Sequence, residues 1–208
     1  MYQKELTRRE IIEMKRHIHI QLSRAEIEAL TRNIYYYIEE ELEAAAYYQD
    51  LSDLAPDPQA KQILLEFSHD ERIHANQFQQ IYEALSSREY SSPGEIDYNF
   101  EINNYINSLE SRMLEETADF KKYKNTYLSV NDNTFRDIFF NAMHDEAHHA
   151  MRILYLIHME MMREMMARNK ENKNNILDEV NNMMKNIIDT QKNISDTEVN
   201  IKTKNTGK

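Results

Sequence analysis

One pattern, written twice at a constant offset of 75 residues, governs what this 208-residue chain can fold into. His69-Asp70-Glu71-Arg72-Ile73-His74-Ala75 returns as His144-Asp145-Glu146-Ala147-His148-His149-Ala150. Upstream, Glu41 matches Glu116 and Tyr48 matches Tyr123 at the same offset, without a gap. In each copy a Glu and a His stand three apart, which on a helix puts both side chains on one face. Only two glycines and three prolines occur in the whole chain. Such sparse punctuation implies long helices and few turns. The repeat is therefore read as two helical hairpins.

Caps and breakers place the boundaries. Thr7-Arg8-Arg9-Glu10 and Ser23-Arg24-Ala25-Glu26 are capping boxes. The first opens a short amphipathic helix to about residue 20, and the second a long helix that ends before Pro56. Another long helix follows Asp57-Pro58 to about residue 86. The segment around Ser91-Ser92-Pro93-Gly94 leads to a third, from about residue 96 or later to 129. A fourth, capped by Thr134 after the turn Asn131-Asp132-Asn133, runs to about residue 169. The expected fold is all-α: a four-helix bundle of two hairpins joined by a crossover, with a short N-terminal helix and a C-terminal helix and tail. Its expected parts are an amphipathic extension (1–22), the bundle (23–170) and an Asn/Lys-rich segment (171–208). Within that last segment the apolar positions from Ile176 to Ile188 keep helical spacing. Beyond about Ser195 the composition reads as a disordered tail.

Helical spacing then selects which acids point inward. Ile34, Ile38, Glu41, Ala45 and Tyr48 form one stripe, and Leu109, Met113, Glu116, Phe120, Tyr123 and Tyr127 another. Each is apolar apart from a single central Glu. Glu40 and Glu115 also repeat, but lie about 100° round the helix, on faces with Glu43, Ser108, Arg112 and Lys122, and read as solvated. The second long helix carries Glu71 and His74 between Phe67 and Phe78. The fourth carries Glu146 and His149 between Ala142 and Ile153. Ionised carboxylates in such stripes are costly unless paired or bound to metal. Four carboxylates and two imidazoles balance two divalent cations, so Glu41, Glu71, His74, Glu116, Glu146 and His149 are the candidate metal ligands. Without metal, repulsion and desolvation should raise the carboxylate pKa values.

Other residues near the pattern have a plainer alternative. Asp70 and Asp145 are either surface acids or acceptors for the Nδ1 proton of the opposite hairpin's histidine, Asp70 with His149 and Asp145 with His74. Tyr48 and Tyr123 are either core aromatics or hydrogen-bond donors to ligand carboxylates. His69, His144 and His148 lie about 200° from the ligand glutamates and should face elsewhere. His17, His19 and His158 have no supporting pattern. Met159, Met161, Met162, Met165 and Met166 ring their helix, which suits packing or an oligomer contact more than soft-metal binding.

Composition excludes several classes. With no cysteine, the chain has no disulfides, iron–sulfur clusters or thiol chemistry. A net charge of −11 argues against a nucleic-acid partner. No apolar run approaches the ~18 residues that span a bilayer, and residues 1–20 lack a signal-peptide pattern. A cytoplasmic protein without a membrane partner is expected.

Glu41-x-x-Ala44-x-x-x-Tyr48 with Asp70-Glu71-x-x-His74, then Glu116 and Tyr123 with Asp145-Glu146-x-x-His149, resembles the ferritin-like superfamily in its rubrerythrin-like branch. The resemblance spans roughly residues 26–166. It implies a ferritin-like bundle holding two iron ions, with Glu71 and Glu146 bridging them, and manganese as the alternative metal. It further implies an oxidoreductase that reduces hydrogen peroxide or oxidises Fe(II) with peroxide or dioxygen. An iron-storage ferroxidase and a di-manganese catalase are the alternatives. A homo-oligomer, dimer or larger, is also implied. Two departures stand out. Rubrerythrins proper usually carry a cysteine-ligated rubredoxin domain, so the absence of cysteine here implies an external electron donor. Their third helix offers an extra carboxylate one turn on; here that position is the shorter Asp119, which stands against a redox-linked ligand switch.

Overall fold

Helices α1 (Arg8–Gln21), α2 (Arg24–Asp53), α3 (Pro58–Ser86), α4 (Tyr105–Ser129) and α5 (Asn133–Asn205) follow one another, with no strand among the described residues. The computed structural model describes residues 6–92, 98, 100, 102 and 104–205, with side chains to residue 186. The chain divides into two units, Met1–Glu160 and Met161–Lys208. The architecture is the expected all-helical one, with a short N-terminal helix before the long ones.

Local chemistry explains the boundaries. Both capping boxes are formed, Thr7 with Glu10 and Ser23 with Glu26. Asp57 caps α3 by accepting the Ala60 N–H at 2.9 Å, and Pro58 occupies the first turn, where a missing N–H does no harm. The start of α5 corrects an expectation. Asp132, not Thr134, caps it, accepting the Phe135 N–H at 3.0 Å. An acid three residues before that N–H has the reach; a residue already inside the first turn does not. The other oxygen of the buried Asp132 meets His17 Nδ1 of α1 at 2.7 Å. Asp132→Ala should therefore lower stability in urea unfolding by about 1–2 kcal/mol.

A second correction concerns α5, which shows no break near residue 169 and continues through the expected tail to Asn205. Neither glycine nor proline occurs between residues 133 and 205, so no such breaker interrupts the helix. In the unit Met161–Lys208, side chains up to residue 186 are mostly exposed, Ile176, Leu177, Val180, Met183 and Met184 among them.

Within Met1–Glu160 the core forms two apolar layers. One gathers Met14 and Ile18 of α1, Ile34 and Ile38 of α2, Phe78 and Ile81 of α3, Tyr123 of α4, and Phe135 and Phe139 of α5. The other gathers Tyr48 and Leu51 of α2, Leu64 and Phe67 of α3, Leu109 of α4, and Ile153 and Leu156 of α5. Each fully buried Leu, Ile or Phe contributes ~1.5–3 kcal/mol. Along every long helix the Glu and His of the repeat fall between its segments in the two layers.

The order of layers also sets chain direction. Helices α2 and α5 run from the first layer to the second, while α3 and α4 run the opposite way. The end of α3 and the start of α4 therefore lie at opposite ends of the bundle, as a crossover between the hairpins requires. Pro93 and Gly94, expected in that connection, lie outside the described residues. Because α2 and α4 point in opposite directions, as do α3 and α5, the hairpins are related by a pseudo-two-fold axis across the bundle. The 75-residue repeat is that axis written in sequence.

Candidate metal centre

Between the layers, Glu41, Glu71, His74, Glu116, Glu146 and His149 are all buried, none more than 3 % exposed. The six fall into two groups, Glu41/Glu71/His74/Glu146 and Glu71/Glu116/Glu146/His149, in each of which the potential ligand atoms lie within 4.8 Å of one another. Glu71 and Glu146 belong to both.

Atomic distances show why. Glu71 directs Oε2 to His74 Nδ1 and Oε1 to His149 Nδ1, each at 3.1 Å. Glu146 does likewise, at 3.3 Å to His74 and 3.6 Å to His149. Glu41 and Glu116 each send only Oε2 toward a histidine Nδ1, at 3.6 and 3.3 Å. Their Oε1 atoms are held crosswise by tyrosines: Tyr123 donates to Glu41 and Tyr48 to Glu116. The two tyrosines are thus both core aromatics and donors, each reaching the other hairpin's carboxylate.

Asp145 and Asp70 lie where the repeat suggests, but against a different ring atom. His74 Nε2 is 3.3 Å from Asp145 Oδ2, and His149 Nε2 is 3.4 Å from Asp70 Oδ2. The expected Nδ1 contact is thereby corrected. Nδ1 is the ring nitrogen nearer the backbone, so it faces the Glu three residues earlier on the same helix. Nε2 extends beyond it and reaches the neighbouring helix.

Arg112 was missed by reading its helix face as solvated. It is 8 % exposed; Nη2 lies 2.6 Å from Glu116 Oε1, and the guanidinium sits 4.8 Å over the Tyr48 ring. The available signal was its place four residues before Glu116, the spacing at which opposite charges meet on a helix. Lys122 is drawn in similarly, bonding Glu40 and Asp119 at 2.5 Å each, with its ammonium 4.8 Å over the Tyr123 ring. Asp119 is thus tied to a lysine. His144 and His148 are exposed, as their position round the helix predicts.

The cluster offsets its own charge with protons. Burial, reinforced by the Glu71 charge, pushes Glu41 up to about 8. Burial and three neighbouring glutamates raise Glu146 well above the usual carboxylate range. Burial and Glu71 also push on Glu116, but bonds from Glu146 and His149 and the Arg112 charge bring it down to about 2. For Glu71, burial is outweighed by His149 and His74, which hold it well below the usual value. Burial would lower both histidines, yet the surrounding carboxylates raise them well above theirs. The upward shifts of Glu41, Glu146, His74 and His149 all favour their protonated forms, in opposition to the charge of the four clustered carboxylates.

The donor set fits two divalent cations. Two such ions would bring four positive charges, the number that four ionised carboxylates require. Glu71 Oε1 and Glu146 Oε1 are buried with no hydrogen-bond partner, although each lies beside a histidine nitrogen. Buried carboxylate oxygens in that condition are expensive unless a cation meets them. Oxygen and imidazole donors together suit iron or manganese.

A family model described as Rubrerythrin matches residues 32–157, more than half of the chain and inclusive of all six clustered residues. No curated protein matches the chain.

Proposed function

We propose, from the premise that the chain belongs to the rubrerythrin family, that Glu41, Glu71, His74, Glu116, Glu146 and His149 hold two iron ions and that the protein is an oxidoreductase reducing hydrogen peroxide or oxidising Fe(II) with peroxide or dioxygen. The observation that carries this reading is the pair of overlapping four-residue groups sharing Glu71 and Glu146, enclosed by two apolar layers. When bound, two ferrous ions supply one electron each, the two that cleavage of a peroxide O–O bond consumes.

The protein's own part is to hold and shield. Glu71 and Glu146, each within reach of both histidines, would help hold both ions. Glu41 and Glu116 each keep one oxygen on a tyrosine and offer the other inward. Arg112 fixes Glu116 further and carries a positive charge at the edge of the cluster. The Asp145 and Asp70 carboxylates orient the two rings through Nε2. Aromatic walls from Phe67, Phe78 and Phe139 exclude water from both sides. As a peroxidase the protein would draw on an external electron donor.

Loss of an orienting carboxylate typically costs 10- to 100-fold in metal affinity. Asp70→Ala should weaken binding of the ion beside His149 by about that factor, read by competition with a chromophoric chelator. Rapid mixing of the Fe(II) protein with peroxide and with dioxygen tests the activity. Oxidation faster than that of free Fe(II) supports it, and no acceleration by either oxidant rejects it. Elemental analysis of protein from its native host decides between iron and manganese.

A cytoplasmic homo-oligomer, a dimer or larger, completes the reading. No described helix is long and apolar enough to cross a membrane. Exposed Leu114, Leu128, Phe140, Met151 and Leu154 on α4 and α5 support self-association. Analytical ultracentrifugation giving only monomer would remove that part, and a closed shell of subunits would favour iron storage.

A further inference from the structure

The second copy of the heptapeptide holds more metal-binding chemistry than the first. Its leading His144 is followed four residues later by His148, whereas the first copy has His69 followed by Ile73. Residues four apart on a helix lie one above the other. The His144 and His148 rings are accordingly 4.2 Å apart between centroids, both on the exposed face of α5. Asp145 lies beside them, its Oδ1 4.0 Å from His144 Nδ1. The three side chains place a ligand atom each within 4.8 Å of one another. This trio is separate from the six buried residues, yet Asp145 touches both, because its Oδ2 meets His74 Nε2.

We propose that His144, Asp145 and His148 form a third metal site, at the surface, which takes one divalent transition-metal ion through two imidazole nitrogens and one carboxylate oxygen. Imidazole donors favour zinc, copper, nickel and iron over magnesium or calcium. Ligand bonds of ~2.0–2.2 Å require the three atoms to converge further. Exposed histidines on one helix face reach that geometry by side-chain rotation alone. Three protein ligands leave further positions open to water, so the ion would be accessible from solvent, unlike the buried pair. Sharing Asp145 links the two locations. An ion drawing on Oδ1 competes with His74 for the same carboxylate charge, so filling the surface site should alter affinity at the buried one, and reciprocally.

The test counts bound zinc per chain by equilibrium dialysis and elemental analysis at saturating Zn(II). It compares wild type, His144→Gln/His148→Gln and Glu71→Ala/Glu146→Ala, all full length. Gln at exposed positions leaves the core untouched, and unchanged helicity and thermal midpoint verify this. The expected result is one ion fewer in the His144→Gln/His148→Gln protein than in wild type, three becoming two. Equal stoichiometry in these two proteins, whatever its value, overturns the proposal. The Glu71→Ala/Glu146→Ala protein keeps the readings apart. Retention there of one ion that the further changes His144→Gln and His148→Gln remove supports the surface site independently of the buried one. The absence of any histidine-dependent ion in that background overturns it.

Discussion

Glu71→Ala should abolish stoichiometric binding of two metal ions in the buried cluster, leaving at most one there, and Glu146→Ala should do the same. The expectation rests on geometry rather than on charge alone. Each of these carboxylates presents one oxygen to His74 and the other to His149, so removing either takes a donor from both halves of the cluster at once. Glu41 and Glu116 each face a single histidine, and their loss should leave one ion better held than the other. A ligand that binds only the folded state stabilises it by RT ln(1 + [L]/Kd), about 4 kcal/mol at a thousandfold excess over Kd. The rise in thermal midpoint on adding Fe(II) or Mn(II) should accordingly shrink in Glu71→Ala and persist in full in a control such as Glu110→Ala, whose side chain is exposed. Two ions per chain that persist in either variant when His144→Gln and His148→Gln are added, by anaerobic dialysis and elemental analysis, would remove these residues from the site.

The six central residues were legible because the question a helix asks of sequence is simple: which residues share a face with the core. Spacings of three, four and seven answer it, and the 75-residue offset supplied a second reading of each position. The fold followed from the same offset and the scarcity of breakers. What escaped depends on distances between helices, or on reach within a side chain. Whether a histidine uses Nδ1 or Nε2 turns on which neighbour is nearer, and only the packed bundle shows Asp145 beside the far nitrogen. Arg112 lay on a face that periodicity assigns to solvent, yet a long side chain can turn back to a charge one turn away. The cap of α5 was read two residues too far along because Asp132 was taken for part of the turn. The C-terminal stretch was divided by composition, but a change of composition does not by itself end a helix, and neither glycine nor proline occurs there.

Without metal, the protein should become less stable as pH rises from about 4.5 to about 8, the reverse of what paired surface carboxylates produce. The sign follows from the direction of the shifts. Glu41 has a folded-state pKa of about 8 against an ordinary 4.5. Its contribution is therefore fully present below 4.5 and is lost as pH climbs through 8. At ~1.4 kcal/mol per unit the loss from this residue alone is on the order of 4 kcal/mol. Glu146, His74 and His149 are shifted upward too and act in the same sense, the histidines from about 6.5 upward. Glu71 and Glu116 are shifted downward, so their contribution is present above 4.5 and is lost only as pH falls further, outside this window. Metal reverses the trend, because the ions displace the protons that Glu41, Glu146 and the histidines hold, and binding strengthens as those protons become easier to remove. Urea unfolding of chelator-treated and loaded protein at pH 5.5, 7 and 8 should give two curves that diverge with pH, and a weakly buffered indicator dye should register acid on loading at pH 7. Glu41→Gln separates this cause from others, since a neutral amide cannot ionise. The metal-free variant should lose less stability than wild type between pH 5.5 and 8, and an equal loss in both would mean that Glu41 does not carry the proton assigned to it.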